Sequence, residues 1–159
     1  MKIDIICVGK IKEKFYTAAV EEYSKRLSRY CQLEIHEVAD EKTPDHGSEA
    51  EYQRIKRMEG ERLLRFFRPD AYVIVLAIDG KPLSSEAFSE KMDALGISGT
   101  SRIQFVIGGS LGLSEEVMRR ADFRLSFSPM TFPHQLMRVI LLEQIYRGYR
   151  IMKGEPYHK

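Results

Sequence analysis

Residues 71–78 read Ala-Tyr-Val-Ile-Val-Leu-Ala-Ile, eight positions without a charge. A strand with one face in water alternates apolar and polar residues. An unbroken run of this length therefore predicts a strand covered on both faces. Such strands sit in parallel sheets with helices above and below, which sets the class as α/β. The rest of the chain agrees. Residues 2–8 and 102–107 are further apolar runs, and 123–126 is a short one. Residues 32–38 set Leu33, Ile35 and Val38 against Gln32, Glu34 and Glu37, as a half-exposed strand would. Helical spacing covers 12–30, about 48–67 with Pro69 as its stop, and a long stretch from about 133. Ser84 and Ser114 are placed to cap two more helices, with Leu83/Phe88 and Leu113/Met118 as hydrophobic staples. The expected order is βαβαβαβαβα: one domain over 1–159, a mostly parallel sheet with helices on both faces. Asp79-Gly80-Lys81-Pro82 is expected to turn the chain, and 40–47 to form a mobile polar loop.

Hydrophobic residues make up 43% and charged residues 30%, the balance of a folded domain rather than a disordered one. A net charge of only +2 means that a nucleic-acid site must come from local clustering. Cys7 and Cys31 are too few for a disulfide framework or a zinc site, so no metal is expected; Cys7 should pack as a small hydrophobe. The opening apolar run is short and broken by Asp4, unlike a signal peptide. No stretch approaches the roughly 20 apolar residues of a membrane span, so a cytoplasmic protein without a membrane partner is expected.

The last helix is apolar nearly all round: from Leu136 to Leu142 only Arg138 is polar. An ordinary surface helix shows one apolar stripe. This one needs a second cover, and a homodimer supplies it most simply. The alternative is a helix sandwiched within its own monomer.

Four places could carry chemistry. Gly108, Gly109 and Gly112 follow a strand and precede a helix. Their spacing does not match a dinucleotide fingerprint, no acidic residue ends the next strand, and no Gly-Lys-Ser/Thr follows. These glycines serve either a tight turn with φ > 0 or a close approach of backbone to a flat ligand. Phe127-Ser128-Pro129-Met130-Thr131-Phe132 is apolar yet irregular. It could wrap an adenine with apolar walls and backbone groups, or tuck beneath a dimer partner. His134 and Arg138 share a helix face at i, i+4. A neutral imidazole in a first turn beside an arginine suits proton abstraction or anion contact, and equally a structural hydrogen bond. The tail, with Tyr157 and His158, is locally basic and could stack on an unpaired base, although chain ends are usually frayed. Lys10, Lys12 and Lys14 form a second basic cluster, for which a solvated face is the ordinary reading.

Taken together, the motifs resemble the ribosomal RNA large subunit methyltransferase H (RlmH) family of the SPOUT superfamily. The similarity runs end to end. It covers the opening Ile-x-x-Val-Gly-Lys, Phe105-Val106-Ile107-Gly108-Gly109-Ser110-x-Gly112, and Leu125-Ser126-Phe127-Ser128-x-Met130-Thr131-Phe132-Pro133-His134. It continues through Arg138 to Tyr146-Arg147 and the closing Tyr157-His158. The resemblance implies a C-terminal trefoil knot, which general topology rules would not predict. It implies S-adenosyl-L-methionine held by Leu76, Gly108, Phe127, Ser128, Pro129, Met130, Thr131 and Phe132. It also implies a homodimer that methylates N3 of a pseudouridine in helix 69 of 23S rRNA on the assembled ribosome. In that scheme His134 is the base or orienter, and Arg138 stabilises the anionic base or holds a phosphate. Tyr157 and His158 hold the flipped nucleotide, from either subunit. A same-fold tRNA methyltransferase and a non-catalytic ribosome-assembly or silencing factor are the alternatives.

Overall fold

Strands β1 (Lys2–Val8), β2 (Gln32–Val38), β3 (Tyr72–Pro82), β4 (Arg102–Ile107) and β5 (Phe123–Ser126) form one sheet, in a computed structural model that describes Met1–Lys159. The strand order is β2-β1-β4-β3-β5 and every pairing is parallel. Five helices connect and follow them: α1 (Lys14–Leu27), α2 (Glu49–Leu64), α3 (Ser85–Ile97), α4 (Glu115–Arg120) and α5 (His134–Met152).

Side-chain alternation along the strands sorts the core into two layers. Ile3, Ile5, Cys7, Ile103, Phe105 and Ile107 pack with Leu27, Phe88, Leu141, Leu142 and Ile145, placing α1, α3 and α5 on one face. Ile6, Val8, Val73, Val75 and Val106 pack with Leu63 and Val117, placing α2 and α4 on the other. Each such buried aliphatic contributes about 1.5–3 kcal/mol, which makes the central strands the anchor of the domain. Cys7 is fully buried, and burial pushes its thiol up to about 12, so it packs as a hydrophobe.

Asp4 is the polar exception in the second layer. Its carboxylate accepts from Arg102 Nη1 at 2.7 Å and from Gln104 Nε2 at 2.7 Å, so the buried charge is paired. Asp4, Glu34 and His36 bring ligand-type atoms within 4.8 Å of one another, but the Arg102 guanidinium already supplies the cation there.

Ser84 Oγ accepts from Ala87 N–H and Ser114 Oγ from Val117 N–H, as capping residues should. Two features differ from the sequence reading, and a third bears on how the last helix is covered. First, β3 does not turn at Asp79-Gly80-Lys81-Pro82. It runs on to Pro82 after slipping register against β5 between Leu76 and Lys81. Gly80 is needed for close approach, since a Cβ there would lie 2.7 Å from the Arg124 carbonyl oxygen. Second, residues 40–47 are fastened rather than loose. Glu41 N–H donates to Glu59 Oε2 at 3.0 Å, Arg62 pairs with Glu41, and the Thr43 and Ser110 hydroxyls bond at 3.0 Å. Third, α5 is flanked by both α1 and α3 on the same face of the sheet. Ser89 Oγ donates to the Gly148 carbonyl at 2.7 Å where α3 and α5 cross. The stripe Leu136, Val139 and Ile140 is left half-buried. No helix is long and apolar enough to cross a membrane.

Candidate functional site

Parallel strands present all their carboxyl ends at one edge, where ligands of open α/β sheets collect. Here the ends of β3, β4 and β5 enclose a cleft of about 830 Å³, within the usual size of small-molecule sites. Its apolar walls include Leu76, Ile107, Leu125, Phe127 and Met137, while Asp79, Ser128, Thr131 and His134 bring polar groups. Leu76 joins the wall at the point where β3 slips against β5.

The glycine loop after β4 forms one side. Positive φ falls at Gly112 (+86°) and not at Gly108. What Gly108 needs is space: a Cβ there would lie 3.0 Å from the Gly112 carbonyl carbon and 3.0 Å from Leu113 Cδ2. Gly112 N–H donates to Gly109 O at 3.1 Å, folding the loop on itself. Beneath it, a Cβ on Gly109 would lie 2.9 Å from Glu59 Oε1. Glu59 is buried, and burial raises its carboxyl above the usual range.

The segment after β5 forms another side. Phe127, Ser128, Met130, Thr131 and Phe132 line the cleft, and Met130, 72% exposed, stands at its rim. Ser128 Oγ accepts from Met130 N–H at 3.0 Å, which holds the turn. Pro129 is not part of the lining.

His134 opens α5 and faces the cleft. Its ring rests on Gly9, whose φ is +90° and whose Cβ, if present, would lie 2.8 Å from His134 Cε1. His134 Nδ1 is buried with no hydrogen-bond partner. Burial lowers the imidazole's pKa, the Arg138 charge lowers it further, Asp40 opposes this and Lys12 adds to it. The ring is therefore a neutral imidazole near neutral pH.

Arg138 departs from the role expected of it. It is 0% exposed and turned away from solvent. Nη1 donates to Glu37 Oε2 at 2.6 Å and Nη2 to Gly9 O at 3.0 Å. Glu37 Oε2 also accepts from Ile11 N–H, and Gln135 Oε1 from Lys12 N–H, each at 3.0 Å. The i, i+4 face does hold both His134 and Arg138, but it points at the ends of β1 and β2. A carboxylate and a carbonyl there pair Nη1 and Nη2, while the buried Nε has no partner. Arg138 thus sets the backbone on which His134 rests.

Tyr157 and His158 lie outside the cleft lining of their own chain. The tail is not frayed. Tyr157 OH donates to Glu143 Oε2 at 2.6 Å, its ring meets Tyr146 edge-on at 5.0 Å, and His158 Nε2 lies 2.6 Å from Glu86 Oε1. Burial, then the bond to Glu143, pushes the Tyr157 phenol up to about 12, so it stays a donor. Sequence reasoning missed Asp79 and Met137 in the lining. Met137 lies four residues after Pro133 on one helix face, a spacing that could have found it.

A family model described as "Predicted SPOUT methyltransferase" matches residues 1–158. A protein of Bifidobacterium adolescentis named "Ribosomal RNA large subunit methyltransferase H" is 62% identical over 159 residues, all of both chains. Proteins of the same name in Clostridium kluyveri and Clostridium novyi are 61% and 60% identical, again over the full length of both. Among solved structures, a probable methylase family protein from Haemophilus influenzae aligns with a TM-score of 0.54 at 12% identity. That alignment covers 99% of this chain and 70% of the other, a likeness of fold alone.

Proposed function

This chain belongs to the SPOUT methyltransferase family, and from that premise we propose that it methylates large-subunit ribosomal RNA with S-adenosylmethionine bound in the cleft. The observation that carries the reading is the cleft itself. Its three sides are chain segments at strand ends, with apolar walls, backbone groups and the His134 ring in the lining. The residues suit the cofactor: a side-chain-free Gly108 lets the glycine loop close against its own Gly112 and Leu113 to form one wall, and 830 Å³ admits a nucleoside with its amino-acid arm. Gly108 and the backbone of 127–132 would hold it, with Leu76 and Met137 as walls. When bound, it supplies a methyl group made electrophilic by the sulfonium.

The protein's own part is positioning and proton management. The proposed acceptor is N3 of a pseudouridine in helix 69 of 23S rRNA on the assembled ribosome. N3 carries a proton in the neutral base. A neutral His134 can take it, and Arg138 acts by fixing the segment beneath that ring. We place the active unit as a homodimer, in which a second copy covers the Leu136, Val139 and Ile140 stripe. The second copy's Tyr157 and His158 then hold the flipped nucleotide, a mode common for unpaired RNA bases. The trefoil knot is carried with the family fold.

His134→Ala should lower kcat on the order of 100-fold while cofactor affinity changes less than about threefold. Equal losses in both would make the residue structural. Because only the neutral ring accepts a proton and its pKa is lowered, the wild-type rate should fall on the acid side below 6.5, and the variant should lack that limb. Deleting residues 157–159 should leave cofactor affinity close to wild type and lower the melting temperature only by the lost contacts to Glu143, Tyr146 and Glu86, while methyl incorporation drops at least about tenfold; unchanged turnover would remove the tail from the site. The reading as a whole is tested by mass spectrometry of rRNA from a strain lacking the gene. One methyl missing from a pseudouridine, restored by the wild-type gene, is the expected result. An unchanged rRNA profile would overturn it.

A further inference from the structure

One basic segment stands beside the cleft without a task in the scheme above. Lys10, Lys12 and Lys14 are all exposed, and none of them forms an ion pair. Their backbone, in contrast, is held at several points. Gly9 N–H donates to Val38 O at 2.8 Å, and Gly9 O accepts from Arg138. Ile11 N–H is bound by Glu37 and Lys12 N–H by Gln135. A solvated lysine run needs no such anchoring. Here the chain is pinned so that three ammonium groups project from a fixed ledge.

The ledge lies at the carboxyl end of β1, on the same sheet edge as the cleft. Contact between the two is direct, because the His134 ring that lines the cleft rests on Gly9. Phe15, at the next position, is 64% exposed, with its ring 4.4 Å from that of Tyr16. The acidic groups nearby are few: Glu13 within the run, Asp40 across from His134, and Glu37, which is committed to Arg138. An exposed aromatic ring among unpaired lysines is the combination that binds a single nucleic-acid strand, charges to phosphates and ring to a base.

We propose that Lys10, Lys12 and Lys14, with Phe15 beside them, form the contact surface for the RNA strand that delivers the target base to the cleft. The inference rests on the RNA-methylation reading and gives that reaction its docking surface. It also accounts for how a chain with a net charge of only +2 engages a polyanion: the positive charge is concentrated where the substrate enters.

The test uses the full-length protein and assembled ribosomes from a strain lacking the gene, with methyl incorporation measured across potassium chloride concentrations. In the triple variant Lys10→Gln, Lys12→Gln, Lys14→Gln, KM for the ribosomes should rise at least about tenfold, with kcat and cofactor affinity unchanged. Three phosphate contacts make wild-type binding fall about 20- to 40-fold between roughly 50 and 200 mM salt, and the variant should lose that part of the dependence. The triple Lys→Arg variant should restore both. Phe15→Ala should raise KM without altering the salt slope. Wild-type KM and slope in the lysine variant would overturn the proposal, as would a matching loss of cofactor binding, which would make the lysines part of the cleft's own architecture. If the wild-type protein transfers no methyl to the assembled ribosomes, the proposed function fails and this surface with it.

Discussion

Gly108→Val should weaken cofactor binding severely: titration of the variant with S-adenosylmethionine should show a loss on the order of 100-fold or more, about 2.8 kcal/mol. The argument does not depend on backbone conformation, since Gly108 lacks a positive φ. It depends on crowding. A Cβ already lies 3.0 Å from the Gly112 carbonyl carbon, and the nearest neighbour is backbone that cannot swing aside like a side chain. Valine then adds two methyl groups, which can go only into the cleft or into the loop. Either way the wall that Gly108 forms is displaced. The change lies at the end of β4, past its last paired residue, Ile107, so far-ultraviolet circular dichroism should match wild type. Affinity within about threefold of wild type would show that this loop does not hold the cofactor.

Arg138→Met should have the largest effect on stability. It leaves Gly9 O without its donor and Glu37 without its cation, and removes a fully buried side chain that spans the two. Breaking a buried pair from one side costs about 3 kcal/mol, at the low end because Glu37 keeps partial access to water. For a domain of this size that corresponds to roughly 6–12 °C in melting temperature. The double variant Arg138→Met, Glu37→Gln should recover part of the loss, since no carboxylate is then left unpaired. A melting temperature within about 2 °C of wild type would mean that the guanidinium is not what holds the 9–12 segment.

The strands were legible because each is a run of apolar or alternating residues bounded by polar or loop-forming ones. The bounds 2–8, 32–38, 102–107 and 123–126 read from residue pattern are those of the structure. The helix read over 12–30 is shorter, Lys14–Leu27, because helical periodicity continues into Tyr30 although that ring leaves the helix to stack on Tyr149 at 5.3 Å. The end of β3 was not legible. Asp-Gly-Lys-Pro has the composition of a turn, and the reason it stays a strand is Arg124, far along the chain, against which Gly80 must lie. Likewise nothing in the composition of 40–47 points to Glu59, Arg62 and Ser110, the groups that fasten it.

The site shows the same division. Phe127, Ser128 and Thr131 to His134 were visible because apolar residues in an irregular segment are unusual. Arg138 was visible as a residue but not in its direction, since helical spacing fixes a shared face and says nothing of what that face meets. Tyr157 and His158 stood out as aromatic and basic groups in a locally basic tail, but their partners Glu143 and Glu86 lie on helices that the tail's own sequence does not specify.

The pairing of Lys2 with Arg102 has a consequence for how the molecule is made. During synthesis β2 can join β1 early, but the opposite rim of β1 stays bare until β4 has emerged. That rim, with Ile3, Ile5 and Cys7 along it, is then an open template for pairing with other chains. Long-range parallel pairing is also slow to form. Half-finished polypeptides of this protein should therefore be avid clients of the chaperones that meet nascent chains, and release from them should coincide with completion of the sheet's middle.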